Sequence, residues 1–194
     1  IIRLKINSNM GDVFKVTYDD FEKQKLKQIG SKIYRETSRG MDPSKFEAYV
    51  SELSDSQKIE LIDLNGKEIE LIDGAKELNK RPDQVFIKVP YSGSSEALKI
   101  KPNPYTNHHR IISADITPSY IQIQFRLDRF DSDYLESTWD RDWEILKKNI
   151  TRVNRMIETF NNKLNTKIME ILKERHSHYK ETTDFMDKLD LCKE

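Results

Sequence analysis

The stretch YLESTWDRDWEILKKNITRVNRMIETFNNKLNTKIMEILKERHSHYKETTDFMDK, residues 134–188, decides the fold. Its apolar residues fall at Leu135, Trp139, Trp143, Leu146, Ile150, Val153, Ile157, Phe160, Leu164, Ile168 and Ile171. Steps of three and four place them on one seam of a helix or a helical hairpin. Lys147, Lys148, Arg152, Arg155, Glu158 and Lys167 lie mostly off that seam. A helix of this character needs something to pack against, because propensity alone does not hold it in water. Asn161-Asn162 and Asn165-Thr166 are poor helix-interior residues and good caps. The expectation is therefore a break, with one helix ending near Phe160 and a second starting near Lys163. One continuous helix is the alternative.

Ahead of this region the pattern changes from period 3.6 to period 2. Tyr120 to Asp128 alternates, with Ile121, Ile123, Phe125 and Leu127 on one face and Gln122, Gln124 and Arg126 on the other. One apolar and one polar face implies an antiparallel sheet. Arg110 to Asp115 reads as its neighbour across Thr117-Pro118-Ser119, and Gln84 to Val89 as another strand, with Val85, Ile87 and Val89 aligned. Asn65-Gly66, between the apolar runs 59–64 and 67–72, predicts a two-residue hairpin, since both residues tolerate positive φ. Short strands are also expected at Ile2–Ile6 and Asp12–Val16.

Two helices are expected near the start. Phe21, Leu26, Ile29, Ile33 and Tyr34 have helical spacing, with Gly40 as a stop. Asp42-Pro43 opens the second, as cap and first residue, with Phe46, Tyr49, Val50 and Leu53 on its apolar side. One or two helical turns are expected over Asp73–Asn79, and an irregular ordered loop over Pro90–Pro104. The fold class is thus α+β: a mostly antiparallel sheet covered by helices, with a long C-terminal helix or helical hairpin. The expected division is a sheet domain over 1–130 and a helical segment over 131–194 that packs on it.

Composition narrows the function. Thirty-three basic and 33 acidic residues among 194 give no net charge. A domain-wide basic excess, the simplest mark of a nucleic-acid binder, is therefore missing. A local basic face remains open, and Lys147, Lys148, Arg152 and Arg155 are its candidates. Interleaved Asp142, Glu144, Glu158 and Glu170 favour a solvated face instead. The one cysteine, Cys192, forms no internal disulfide, which suits a reducing compartment, and a cytoplasmic protein is expected. No run approaches the ~20 apolar residues that span a bilayer, so no membrane partner is expected. The first residues do not read as a signal peptide, there is no initiator Met, and the reading is a fragment of a longer protein.

No catalytic motif stands out, and no enzyme activity or cofactor is expected of these residues. His176 and His178 are two apart and point about 200° apart on a helix, so they cannot share a metal. Glu174 and His178 share a face but lack a third ligand, and no metal site is expected. Pro82-Asp83 with Lys88 has the first part of a metal-dependent nuclease layout, without the Glu-x-Lys that would complete it. Tyr91, Tyr105, His108 and Arg110 are the candidates for a ligand loop, and for the dispersed site of a stand-alone enzyme. Leu146, Ile150, Val153 and Ile157 are the candidates for a self-association seam.

One further pattern spans residues 84–186. A strand ends in Pro90-Tyr91-Ser92-Gly93, Leu98 follows, and Lys101-Pro102-Asn103-Pro104 makes a bend. Two strands come next, then a long helix with Phe160-Asn161, then the basic stretch Lys163 to His178. This order resembles the uncharacterised N-terminal region of bacterial proteins whose C-terminal part is an effector, often an Mrr-type restriction-endonuclease-like domain and sometimes a TIR domain. The resemblance implies a sensing or regulatory module of an antiphage defence-type protein. It would be non-catalytic and coupled through its long helices to an effector domain or to another copy. The alternatives are a nucleic-acid-binding domain on the basic helix face and a small stand-alone enzyme.

Overall fold

In the computed structural model the described residues are 13–36, 42–65, 70–73, 84–102, 114–126 and 132–188. Among these residues three α-helices and five strands form: α1 Tyr18–Arg35, α2 Phe46–Gln57, β1 Asp63–Leu64, β2 Glu70–Asp73, β3 Gln84–Ser92, β4 Ala114–Ile116, β5 Tyr120–Arg126 and α3 Ser132–Lys188. All strand pairs are antiparallel, and β3 is the centre of the sheet. On one side it pairs with β5, which pairs with β4; its other side takes β2 over Val85–Lys88 and β1 at its end. The architecture is α+β.

Two compact units emerge. One takes Ile1–Tyr18 and Ile59–Ile157, the other Asp19–Lys58 and Glu158–Glu194. Neither coincides with the expected division at residue 130, because α3 runs through both.

In the sheet unit, Ile87 stands opposite Ile123 and Val89 opposite Ile121, and all four are buried. This is the expected apolar face, and such cross-strand pairs are the unit of sheet stabilisation. The β4–β5 turn is the expected one. Thr117 N–H donates to the Tyr120 carbonyl (3.0 Å), and Tyr120 N–H donates to Thr117 Oγ1 (3.0 Å). Pro118 and Ser119 therefore form a two-residue hairpin loop.

Gly66 of the expected Asn65-Gly66 hairpin lies outside the described residues, and the described strands β1 and β2 each pair with β3 and not with each other. Leu64 lies opposite Tyr91 and Glu70 opposite Lys88, so β1 and β2 advance in one direction along the same edge of β3. Asn65 N–H continues that edge by donating to the Pro90 carbonyl (3.1 Å). An isolated hairpin is marginal in water, whereas the nine residues of β3 offer a ready ladder. The Asp12–Val16 strand reduces to a single parallel bridge, Val16 to Ile100. The Pro90–Pro104 loop is shortened, since β3 extends to Ser92 and Ala97–Lys99 makes a 3-10 turn. The strand at Ile2–Ile6 and the stop at Gly40 lie outside the described residues, as do most of the turns expected over Asp73–Asn79, whose first residue ends β2, and most of the expected strand 110–115.

In the helical unit, Asp42 caps a 3-10 turn, Pro43–Lys45, that leads into α2: its Oδ1 accepts from Ser44 N–H (3.0 Å), and Pro43 takes the turn's first position. Phe46, Tyr49, Val50 and Leu53 are all buried. With them are Phe21, Ile29 and Ile33 of α1 and Phe160, Leu164, Ile168 and Leu172 of α3. Phe21 meets Phe160 edge to face, centroids 6.2 Å apart.

The expected break in the long helix does not occur, and α3 is continuous over 57 residues. At about 1.5 Å per residue it is roughly 86 Å long. Asn in a helix interior costs at most about 0.7 kcal/mol relative to Ala. Each of Phe160, Leu164, Ile168 and Leu172 contributes about 1.5–3 kcal/mol on burial, and only an unbroken helix keeps the four on one ridge. Asn162 and Asn165 are exposed, so neither disturbs that ridge.

Candidate functional site

The residues chosen as a self-association seam are core. Leu146, Ile150, Val153 and Ile157 are at most 5% exposed, so no second copy can reach them in the folded chain. The same part of α3 is tied to the β1 approach. Asn154 Oδ1 accepts from Ile62 N–H (2.9 Å) while its Nδ2 donates to the Ile62 carbonyl (2.7 Å).

The basic candidates divide. Lys147 turns toward Trp143, 5.5 Å from the ring centroid, and pairs with Glu144. Lys148 and Arg152, with Arg141, Glu144, Ile145 and Asn149, line a groove of about 340 Å³. Positions 141, 148, 152 and 155 are spaced seven, four and three apart, so their side chains share one helical face. Arg141, absent from the candidates drawn from sequence, completes that strip. Its guanidinium also reaches Asp142 (Nε–Oδ1 3.2 Å), the neighbouring acid that disguised it.

Of the ligand-loop candidates, Tyr91 is the one among the described residues. Tyr91 is 4% exposed, and its hydroxyl donates to the Thr117 carbonyl (2.6 Å). Burial pushes its phenol above the ordinary value of 10.0, against the opposing effect of a hydrogen bond with Ser95. Its role is to join β3 to the β4–β5 turn. Tyr105, His108 and Arg110 lie outside the described residues. Lys88, the lysine of the incomplete nuclease pattern, lies over the Tyr120 ring at 5.1 Å. Among the described residues no three His, Cys, Asp or Glu side chains gather as metal ligands, and no helix is long and apolar enough to cross a membrane.

Two features of α3 escaped the sequence reading. Arg175 is only 6% exposed. Its Nη2 donates to the Tyr34 carbonyl in the last turn of α1 (3.0 Å), and its guanidinium lies 4.6 Å from the Tyr34 ring centroid. A cation at a helix C-terminus is favoured by the helix dipole and satisfies a carbonyl that has no partner within the helix. Beyond it, every residue from Ser177 to Lys188 is exposed. Tyr179 is 55% exposed, Phe185 59% and Met186 37%. Tyr179 and Met186 prolong the line of Leu164, Ile168, Leu172 and Arg175, which is buried up to that point.

No family model matches this chain, and neither a curated protein nor a solved structure matches it.

Proposed function

We propose that this chain is a non-catalytic regulatory module that acts by pairing with a second copy through the exposed end of α3. The supporting observation is the apolar line that leaves its cover at Tyr179 and continues to Met186. Two antiparallel copies of 177–188 are self-complementary: Tyr179 of each helix meets Met186 of the other, with Thr182 and Thr183 at the centre. Lys180 and Lys188 alternate with Glu181, Asp184 and Asp187, so no single-sign field opposes the pairing. Light scattering on the full chain, at rising concentration, should show a dimer. A variant combining Tyr179→Ser and Met186→Ser should be a monomer with unchanged helical circular dichroism. A wild-type monomer throughout, or a dimer indifferent to both substitutions, defeats the reading.

The regulated partner, an effector of the bacterial defence type, rests on the resemblance of residues 84–186 alone. The intact mass of the natural protein tests it: a mass well above that of these 194 residues is expected.

A second reading is favoured by the strip Arg141, Lys148, Arg152 and Arg155, a surface for nucleic-acid phosphates. It predicts affinity that falls steeply with salt and that Lys148→Glu with Arg152→Glu abolishes. Absence of binding at low salt removes it.

A further inference from the structure

The helical unit holds a second groove, of about 520 Å³, between the start of α2 and the distal part of α3. Pro43, Phe46 and Met169 supply its apolar floor, and Lys173, His176 and Lys180 line it from α3. Residues 169, 173, 176, 177 and 180 share one helical face, turned from the Tyr179–Met186 line.

Basic side chains outnumber acidic ones among the residues lining this groove. Lys167 is paired with Glu170 (3.0 Å) and His178 with Glu181 (3.8 Å), whereas Lys173 and Lys180 have no ion-pair partner among the described residues. Among the lining residues the one carboxylate is Glu47, in the first turn of α2, where the helix dipole already favours it. His176 lies between the lysines along the helix. Its ring stands edge-on to Phe46, centroids 5.7 Å apart, and its Nδ1 is buried with no hydrogen-bond partner. A buried polar nitrogen without a partner carries a desolvation cost, and one that an incoming acceptor or donor relieves marks a place for a ligand.

We propose that this groove binds a small polyphosphorylated molecule with an aromatic or apolar body, the chemistry of a nucleoside triphosphate. Lys173 and Lys180 are seven residues apart, about 10 Å along the axis, a separation that suits an extended anion with several charges. Lysine ammonium groups serve phosphate as point charges. The floor of Phe46, Met169 and Pro43 takes the uncharged body. The inference goes beyond self-association and does not depend on it.

The test is calorimetric titration of the full chain at low salt with ATP, and separately with inorganic tripolyphosphate. ATP is expected to bind at one site per chain, several-fold tighter than tripolyphosphate. Lys173→Glu, at an exposed position outside 177–188, should weaken ATP binding several-fold while leaving circular dichroism and association state unchanged, and Lys173→Glu with Lys180→Glu should weaken it at least tenfold with unchanged circular dichroism. Glu47→Gln should tighten it. No saturable ATP binding, or ATP binding that the double lysine variant leaves intact, overturns the proposal; equal affinity for tripolyphosphate overturns the part assigned to the apolar floor.

Discussion

The side chain of Asn154 closes on both backbone polar groups of Ile62, 92 residues earlier in the chain. A strand would normally satisfy these groups, but Ile62 lies just before β1 and has no ladder partner among the described residues. The carboxamide supplies one acceptor and one donor at the right separation, as a neighbouring strand would.

Asn154→Ala should therefore leave a buried N–H and a buried C=O unpaired at once. At about 1–3 kcal/mol for each of the two unsatisfied groups, the loss should be about 2–6 kcal/mol. Asn154→Asp keeps the acceptor and sets a carboxylate against the Ile62 carbonyl, so it should cost at least as much at neutral pH. Urea unfolding should show a lower midpoint with an unchanged slope.

Gly93 is held by the same segment. Its φ is +97°, and a Cβ there would overlap the Leu61 carbonyl. Both objections involve backbone, so neither is relieved by a rotamer change. Ser94 N–H donates to the Glu60 carbonyl (3.3 Å), which fixes the two segments against each other. Gly93→Ala should cost at least about 3 kcal/mol, combining backbone strain with overlap. Thermal unfolding of the variant checks this; a melting temperature within a degree or two of wild type would refute it.

The sequence was legible wherever periodicity and burial act together. Phe46, Tyr49, Val50 and Leu53 were readable because one helix face meets one core. Ile121 and Ile123 were readable because alternation maps directly onto the two faces of a strand. The misreadings at Asn65-Gly66 and Asn161-Asn162 share a cause. Each pair carries a local preference of a fraction of a kcal/mol to about one, and tertiary pairing or burial outweighs it. The basic strip was legible in spacing, which puts Arg141 with Lys148, Arg152 and Arg155 and turns Lys147 to a neighbouring face; the acids beside them, Asp142 and Glu144, disguised it. The Phe46–His176 groove was not legible, because its two walls are more than 100 residues apart.

Ile157 is fully buried and Ile150 5% exposed. Ile157→Ala should cost about 2–5 kcal/mol through lost burial and the cavity left behind. Ile150→Asp combined with Ile157→Asp buries two carboxylates without partners and should prevent folding of the sheet unit. Near-ultraviolet circular dichroism and proteolysis report this directly; a soluble, protease-resistant double variant would show that the seam is not core.

Tyr91 makes stability depend on alkaline pH. Burial raises its folded-state value above 10.0, so the neutral phenol is favoured in the folded chain. The associated stability is fully present below the unfolded value and declines as pH rises from there through the folded value. Tyr91→Phe should cost about 1 kcal/mol at neutral pH through the lost bond to the Thr117 carbonyl, and should lose less than wild type on going to about pH 11. Urea midpoints for both proteins at neutral and alkaline pH measure the difference. An identical alkaline decline would mean that Tyr91 is not the group responsible.

Asp42 gives the opposite dependence at acid pH. Hydrogen bonds from the Ser44 hydroxyl (2.6 Å) and the Ser44 N–H (3.0 Å) hold its carboxyl below the ordinary aspartate value of 3.8, with Lys45 (3.4 Å) adding in the same direction. The ionised cap is therefore the favoured form. Its contribution is present above the unfolded value and is lost as pH falls through the folded one. Carbon-detected NMR titration should place the Asp42 carboxyl below 3.8. Ser44→Ala should move it back up, because the largest of its causes is removed. A titration of Asp42 that Ser44→Ala leaves unchanged would show that the cap geometry does not hold in solution.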